Sequence, residues 1–288
     1  MIPQLFTYNP DMIILYTGHN EFYGYKGYSE IAGKSNYFIE DVIENILKSI
    51  SLSSPIEYDN NLDDFETLLP VNSNNKIITN SQYAYIKIKN NFISNINQIS
   101  YKCVENQVQL ILTTMPDNYL LPPLGISNNK EEVSTDILFS NARMALIRDG
   151  NISTAVKLFK KTKDSDGLRL RVPEDFNEDM KNISFGNTAD VYSEFANNSP
   201  NGIPGNELFL DYIHPSKDGL DLIASVYARV IINNYCSKNN IKNEFEPVNF
   251  SESISIEDSV LAKKRVDRSL ELIKKLKSTQ YENAAGMY

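Results

Sequence analysis

Residues 8–24 read YNPDMIILYTGHNEFYG, and their punctuation decides the fold. The turn pair Asn9-Pro10 is followed by a short continuous apolar run at 12–17, the pattern of a strand buried on both faces of a parallel sheet. Gly18 and the polar His19-Asn20-Glu21 stop that strand at its C-terminal end. A second apolar run at 107–113 ends in Met115-Pro116-Asp117. Between them, at about 80–105, Tyr85, Ile88, Phe92, Ile96, Ile99 and Cys103 recur every three or four positions, an amphipathic helical stripe. Strand, helix, strand is a βαβ unit and implies a parallel sheet under helical cover. A third strand is expected at 188–193 and a further helix at 217–236, with Leu220, Ile223, Val226, Val230 and Ile231 on one side. Residues 136–163 read as a helical hairpin turning at Asp149-Gly150-Asn151. The Asn-, Ser- and Asp-rich segment 40–80 reads as an irregular excursion, with a helix near 38–50. The stretch 255–279 reads as a C-terminal helix, acidic at its start and basic at its end.

The chain has 288 residues, 41% hydrophobic and 23% charged, an ordinary globular balance. Asp and Glu number 37 against 28 Lys and Arg, for a net charge of -9. That balance repels a phosphate backbone and argues against a nucleic-acid partner. No apolar run approaches the roughly 18 to 20 residues that a membrane-spanning helix needs. The first residues lack the basic region and small-residue cleavage site of a signal peptide, so the chain is assigned to the cytoplasm by default. Cys103 and Cys236 make neither a disulfide framework nor a metal cluster, and no cofactor is expected. Only two histidines exist, His19 and His214, so any imidazole chemistry rests on one of them.

Each histidine lies in a candidate segment. Gly18-His19-Asn20-Glu21 sits at the carboxyl tip of a strand, the edge where open α/β sheets bind ligands. A glycine there lets backbone approach a ligand closely, and an Asn amide can donate to a developing oxyanion. The competing structural reading is a strand-end turn held by the Asn side chain. In Asp211-Tyr212-Ile213-His214-Pro215, an Asp three residues before a His can reach Nδ1–H and leave Nε2 outward as a base. Here the structural alternative is a surface His beside a capping Asp. In Arg169-Leu170-Arg171, an extended backbone would point both guanidiniums to one side, fit to clamp an anionic group. Internal pairing with Asp164, Asp166 or Glu174 is the alternative. Two decoys are set aside. Gly27 to Ser35 is one residue too long for a phosphate loop. His19, Glu21, Asp211 and His214 lack the helical spacing of a metal site.

Taken together, the two histidine segments resemble the third and fifth blocks of the SGNH (GDSL-like) hydrolase superfamily. A narrower resemblance is to members carrying tetratricopeptide-like helices. It rests on residues 8–24, on the hairpin ending in KDSDGLRLRVPEDFN at 163–177, and on SPNGIPGNELFLDYIHPSKDGLDLIA at 199–224. The resemblance covers about residues 5–235. It implies a three-layer αβα, flavodoxin-like fold over 1–236 with a helical insertion at 131–183, followed by a linker and helix at 237–288. It also implies hydrolysis of acyl or acetyl esters of small molecules or glycans, with His214 and Asp211 catalytic, and Asn20 and Gly18 in the oxyanion hole. His19, Glu21, Arg169 and Arg171 are the candidate substrate contacts.

The family's first two blocks, which hold the Gly-Asp-Ser nucleophile and a second oxyanion donor, precede the third by many residues. Only seventeen residues precede Gly18, and neither Gly-Asp-Ser nor G-x-S-x-G occurs in the chain. The expectation is therefore an N-terminally truncated protein whose first strands are missing, leaving the strand at 12–17 as an open edge that could associate with the missing part. Relatives are often exported or membrane-anchored through that portion. Two alternatives stand beside this reading: a catalytically inactive binding module, and a non-functional gene fragment. The hairpin is expected to pack over the cleft as a partial lid.

Overall fold

The computed structural model describes residues 5–19, 21–22, 83–124, 133–167, 169–183 and 187–239, with Lys264, Asp267 and Glu271 as single helical, exposed positions. Three strands, β1 (Met12–Leu15), β2 (Gln109–Thr113) and β3 (Asn187–Ala189), form one sheet in the order 1-2-3. Both pairings are parallel, with Ile13 opposite Leu110 and Leu112 opposite Thr188. A parallel neighbour requires a crossover. The first is helix α1 (Tyr83–Glu105); the second passes through α2 (Thr135–Ile147), α3 (Ile152–Asp164) and α4 (Glu174–Asn182). After β3 come α5 (Val191–Asn197) and α6 (Lys217–Asn239). This is an α/β fold.

Helices cover both faces of the sheet, and the strand side chains divide between them. Ile13, Leu15, Leu110 and Leu112 face the α1 stripe of Tyr85, Ile88, Phe92, Ile96, Ile99 and Cys103. Met12, Ile111 and Ala189 face Val191 and Phe195 of α5 and Ile223 and Val226 of α6. That division explains why β2 is apolar at consecutive positions. Each large apolar side chain so buried contributes roughly 1.5–3 kcal/mol, so the α1 stripe anchors the first crossover.

The third strand is shorter than the sequence suggests. It ends at Ala189, because the Asp190 side chain accepts from Ser193 N at 3.3 Å and starts α5. This cap overrides the strand preference of Val191 and Tyr192. Helix α4 is an addition, lying at 174–182 where the sequence reading places no element. Its sequence is charge-rich, and it buries only Phe176, Asn177 and Met180.

The hairpin forms as expected. Ser134 and Asn151 cap its helices, and Gly150 takes the turn at φ +61°. Ala142, Ala145 and Ala155 let the two helices approach closely, and the hairpin seats on Tyr119 and Ile203. It therefore stands over the carboxyl end of β2. Cys103 and Cys236 are free thiols. Among the described residues, β1 pairs only with β2, and no helix is long and apolar enough to cross a membrane. Asn20, the segment at 38–80, the loop from Gly27 to Ser35 and most of 237–288 lie outside the described residues.

Candidate active site

The loop from Phe209 to Pro215 closes on itself through an antiparallel bridge between its end residues and through Leu210 N donating to His214 O at 2.8 Å. Inside that closed loop the Asp211 carboxylate is fully engaged. Its Oδ1 accepts from Ile213 N at 2.9 Å and His214 N at 2.8 Å, while Oδ2 lies 2.7 Å from His214 Nδ1. A short Asp-x-x-His loop achieves this because the aspartate can bond forward to its own backbone. Gly219, at the start of α6, has no room for a side chain: a Cβ there would lie 2.3 Å from Leu208 O. Helix and loop are thereby packed tightly together.

Burial alone would raise the Asp211 carboxyl. Its hydrogen bond to His214, the imidazole charge and the two backbone donors outweigh burial and hold it below the usual carboxylate range. His214 is shifted the other way. The Asp211 hydrogen bond raises it above the ordinary histidine value, against partial desolvation. An ionised Asp211 makes Nδ1 the protonated nitrogen. The imidazole side chain is 62% exposed while that of Asp211 is 12% exposed. Nε2 is thus the nitrogen available to take and return a proton.

The second segment is built differently. Gly18 has φ +147°, a conformation that strains any residue with a side chain, and a Cβ on it would lie 3.1 Å from Met115 Cγ and Val172 Cγ2, so those two side chains would have to give way. His19 is buried and clasped on both sides. Its Nε2 donates to Pro116 O at 3.1 Å, and its Nδ1 accepts from Val172 N at 3.2 Å. Those bonds need the neutral tautomer, and burial, reinforced by the Lys163 charge, pushes its pKa down to about 3. His19 is therefore a structural clasp, and its assignment as a substrate contact is corrected on that ground. Glu21 is buried beside Thr17, whose hydroxyl donates to it at 3.2 Å, and burial raises its carboxyl to about 7.

Neither arginine of the Arg-x-Arg motif is open to a ligand. Arg169, 2% exposed, donates to Asp164 O at 2.8 Å and lies 4.8 Å from the Tyr85 ring centroid and 5.5 Å from that of Phe22. Arg171, 4% exposed, donates to the carbonyls of Asn118 and Leu121 and pairs with Asp166. For Arg171 the internal pairing with Asp166 takes the place of the anion clamp, while Arg169 is held by a backbone carbonyl and two aromatic rings.

Sequence reasoning missed the loop after β2. Asn118, fully buried, donates from Nδ2 to Asp211 O at 3.1 Å and from its backbone N to Tyr212 O at 3.0 Å. Its position just beyond a strand terminus was the available signal. Below it lies a buried ionic knot. Lys163 Nζ reaches Asp117 Oδ2 at 2.9 Å and also Glu174 Oε1, and the Tyr119 and Tyr192 hydroxyls donate to the same Glu174 carboxylate. Despite burial, those two carboxylates hold Lys163 above its ordinary pKa, and Lys163 holds Glu174 down to about 2. A cleft of about 200 Å³ adjoins the knot, lined among others by Pro116, Asp117, Tyr119 and Tyr192, with Val156 and Lys160 of α3 as one wall.

His214 and Asp211 are thus in direct contact, and His19 and Gly18 are held against Met115 and Pro116, beyond β2, and against Val172. Asn20 lies outside the described residues. Among the described residues no group of three or more His, Cys, Asp or Glu is placed to hold a metal ion. No protein-family model, no curated protein and no solved structure matches the chain.

Proposed function

We propose that the chain carries the acid–base half of an SGNH-type ester hydrolase, with a flavodoxin-like arrangement of its sheet. The observation that supports this most is the 2.7 Å contact between a largely buried Asp211 carboxylate and Nδ1 of an exposed His214. In this reading His214 Nε2 takes the proton of an attacking hydroxyl and returns it to the leaving alcohol. Asp211 holds the tautomer and stabilises the imidazolium. Asn20 and the Gly18 backbone are proposed to donate to the oxyanion. The family's Gly-Asp-Ser block is not among residues 1–288, so no serine of this chain is given the role of nucleophile.

The test joins residues 1–288 to the polypeptide encoded immediately upstream and follows p-nitrophenol release from short acyl esters. The expected result is a Gly-x-Ser-like block upstream and hydrolysis that H214A reduces by several orders of magnitude. Absence of such a block, or turnover indifferent to H214A, contradicts the reading. The binding-module alternative would use the cleft together with the Arg169 and Arg171 pair; the internal hydrogen bonds of both arginines support the hydrolase reading over it.

A further inference from the structure

Residues 171 and 172 touch both segments that the proposed chemistry needs in one place. Val172 N donates to His19 Nδ1 at 3.2 Å, and its Cγ2 lies 3.1 Å from where a Cβ on Gly18 would be. One residue earlier, Arg171 reaches the other segment. Its Nη1 donates to Asn118 O at 3.1 Å and to Leu121 O at 3.3 Å, and its Cζ lies 5.4 Å from the centroid of the Tyr212 ring. Asn118 holds the backbone of Asp211 and Tyr212 by two hydrogen bonds, and Tyr212 donates its hydroxyl to Pro122 O at 2.9 Å. The loop 118–122 is therefore the mount for the Asp211–His214 loop, and one guanidinium fastens both mount and load. On its far side Asp166 accepts from Arg171 at 3.4 Å and from Leu124 N at 2.8 Å, closing the ring of contacts.

From this geometry we infer that Arg171 is a positioning residue for the Asp211–His214 pair, and that the Arg171-Val172 dipeptide sets the separation between that pair and the Gly18-His19 turn. The catalytic meaning of this bracket rests on the proposed function; the bracket itself does not. A planar fork that donates to two carbonyls and a carboxylate while lying over a ring is particular to arginine. Lysine supplies the charge as a compact point and can satisfy only part of that set. The charged group facing His214 is Asp211; His19 nearby is neutral, so a change in the His214 titration reads the Asp211 contact.

With only two histidines in the chain, histidine-labelled protein gives a spectrum that resolves each ring. R171K is expected to move the His214 midpoint down toward the ordinary histidine value and to weaken the hydrogen-bonded Nδ1 proton signal, with the fold retained. R169K is the matched control, an equally buried arginine set on Asp164 O and the Tyr85 and Phe22 rings, and it should leave both signals unchanged. A folded R171K with the wild-type midpoint and Nδ1 signal overturns the inference. Equal shifts in R171K and R169K also overturn it, because they would report general loosening. If R171K does not fold, Y212F removes only the bond to Pro122 O and should shift His214 in the same direction. An unchanged titration in Y212F is then the contrary result. No substrate enters these measurements, so failure of the hydrolase reading would leave this bracket standing, and failure of the bracket would leave that reading intact.

Discussion

The chain has two histidines, and the two regions that hold them are opposites. His19 lies under the carboxyl edge of the sheet with both ring nitrogens spent on backbone groups, and burial keeps it neutral down to about pH 3. His214 stands on an exposed turn with one nitrogen tied to a carboxylate, which raises its affinity for a proton. Residue type alone says nothing of this difference. Burial penalises the charged form, and an adjacent anion favours it. The region that looks more like a site in sequence, a histidine beside an asparagine at a strand tip, contributes its histidine to structure. The more ordinary Asp-x-x-His holds the exposed imidazole with the raised proton affinity.

The contrast can be broken most severely from the buried side. Lys163→Met leaves Asp117 and Glu174 without their shared cation beneath the His19 clasp, and removing one member of a buried pair costs about 3–5 kcal/mol. Urea unfolding should show that loss. A cost under about 1 kcal/mol would mean that the knot is solvated in solution. His19→Gln comes next. It removes a ring that serves Pro116 O and Val172 N at once, and leaving such groups unsatisfied costs about 1–3 kcal/mol. His214→Ala, on an exposed ring, should change stability by no more than about 0.5 kcal/mol. Equal costs at the two histidines would erase the distinction.

The pH dependence sharpens the comparison further. His19 has a folded pKa near 3 against an ordinary 6.5, so between those values the unfolded chain binds the extra proton. Its contribution makes stability rise with pH across that window. His214 is raised in the fold, so its contribution is complete below 6.5 and is lost as pH rises through the folded value. Comparing wild type with H19Q should therefore show the wild-type advantage growing from pH 3 to 6.5. Against H214A it should shrink above pH 6.5. Glu21, raised to about 7 from 4.5, opposes the His19 slope above pH 4.5, so the H19Q comparison is best repeated with Glu21→Gln in both proteins.

What could be read in the sequence was what is local. The strand positions of β1 and β2, the α1 stripe and the forward reach of Asp211 to His214 all depend on spacings of a few residues, and the structure holds them, except that β1 is not buried on both faces: it is only half-buried and leaves Ile14 exposed. Long-range partners were hidden. A lysine in the amphipathic helix α3 reads as solvated, yet Lys163 is buried because Asp117 and Glu174, from two other segments, meet it there. The Arg-x-Arg motif reads as a clamp for something outside, whereas the acceptors for Arg171 are carbonyls fifty residues away. Helix α4 was missed because a run as charged as Glu174–Asn182 buries only three side chains. Local capping at Asp190 cut short a strand that β-branched and aromatic residues suggested.

The account stands on His214 being the chain's one proton-exchanging imidazole, poised by Asp211. Histidine-resolved NMR titration of the wild type and of D211N tests this most directly. We expect one imidazole with a midpoint above the ordinary value that falls in D211N, and a second that stays neutral throughout the range from pH 5 upward. Two imidazoles titrating together near the ordinary value, both indifferent to D211N, would contradict it.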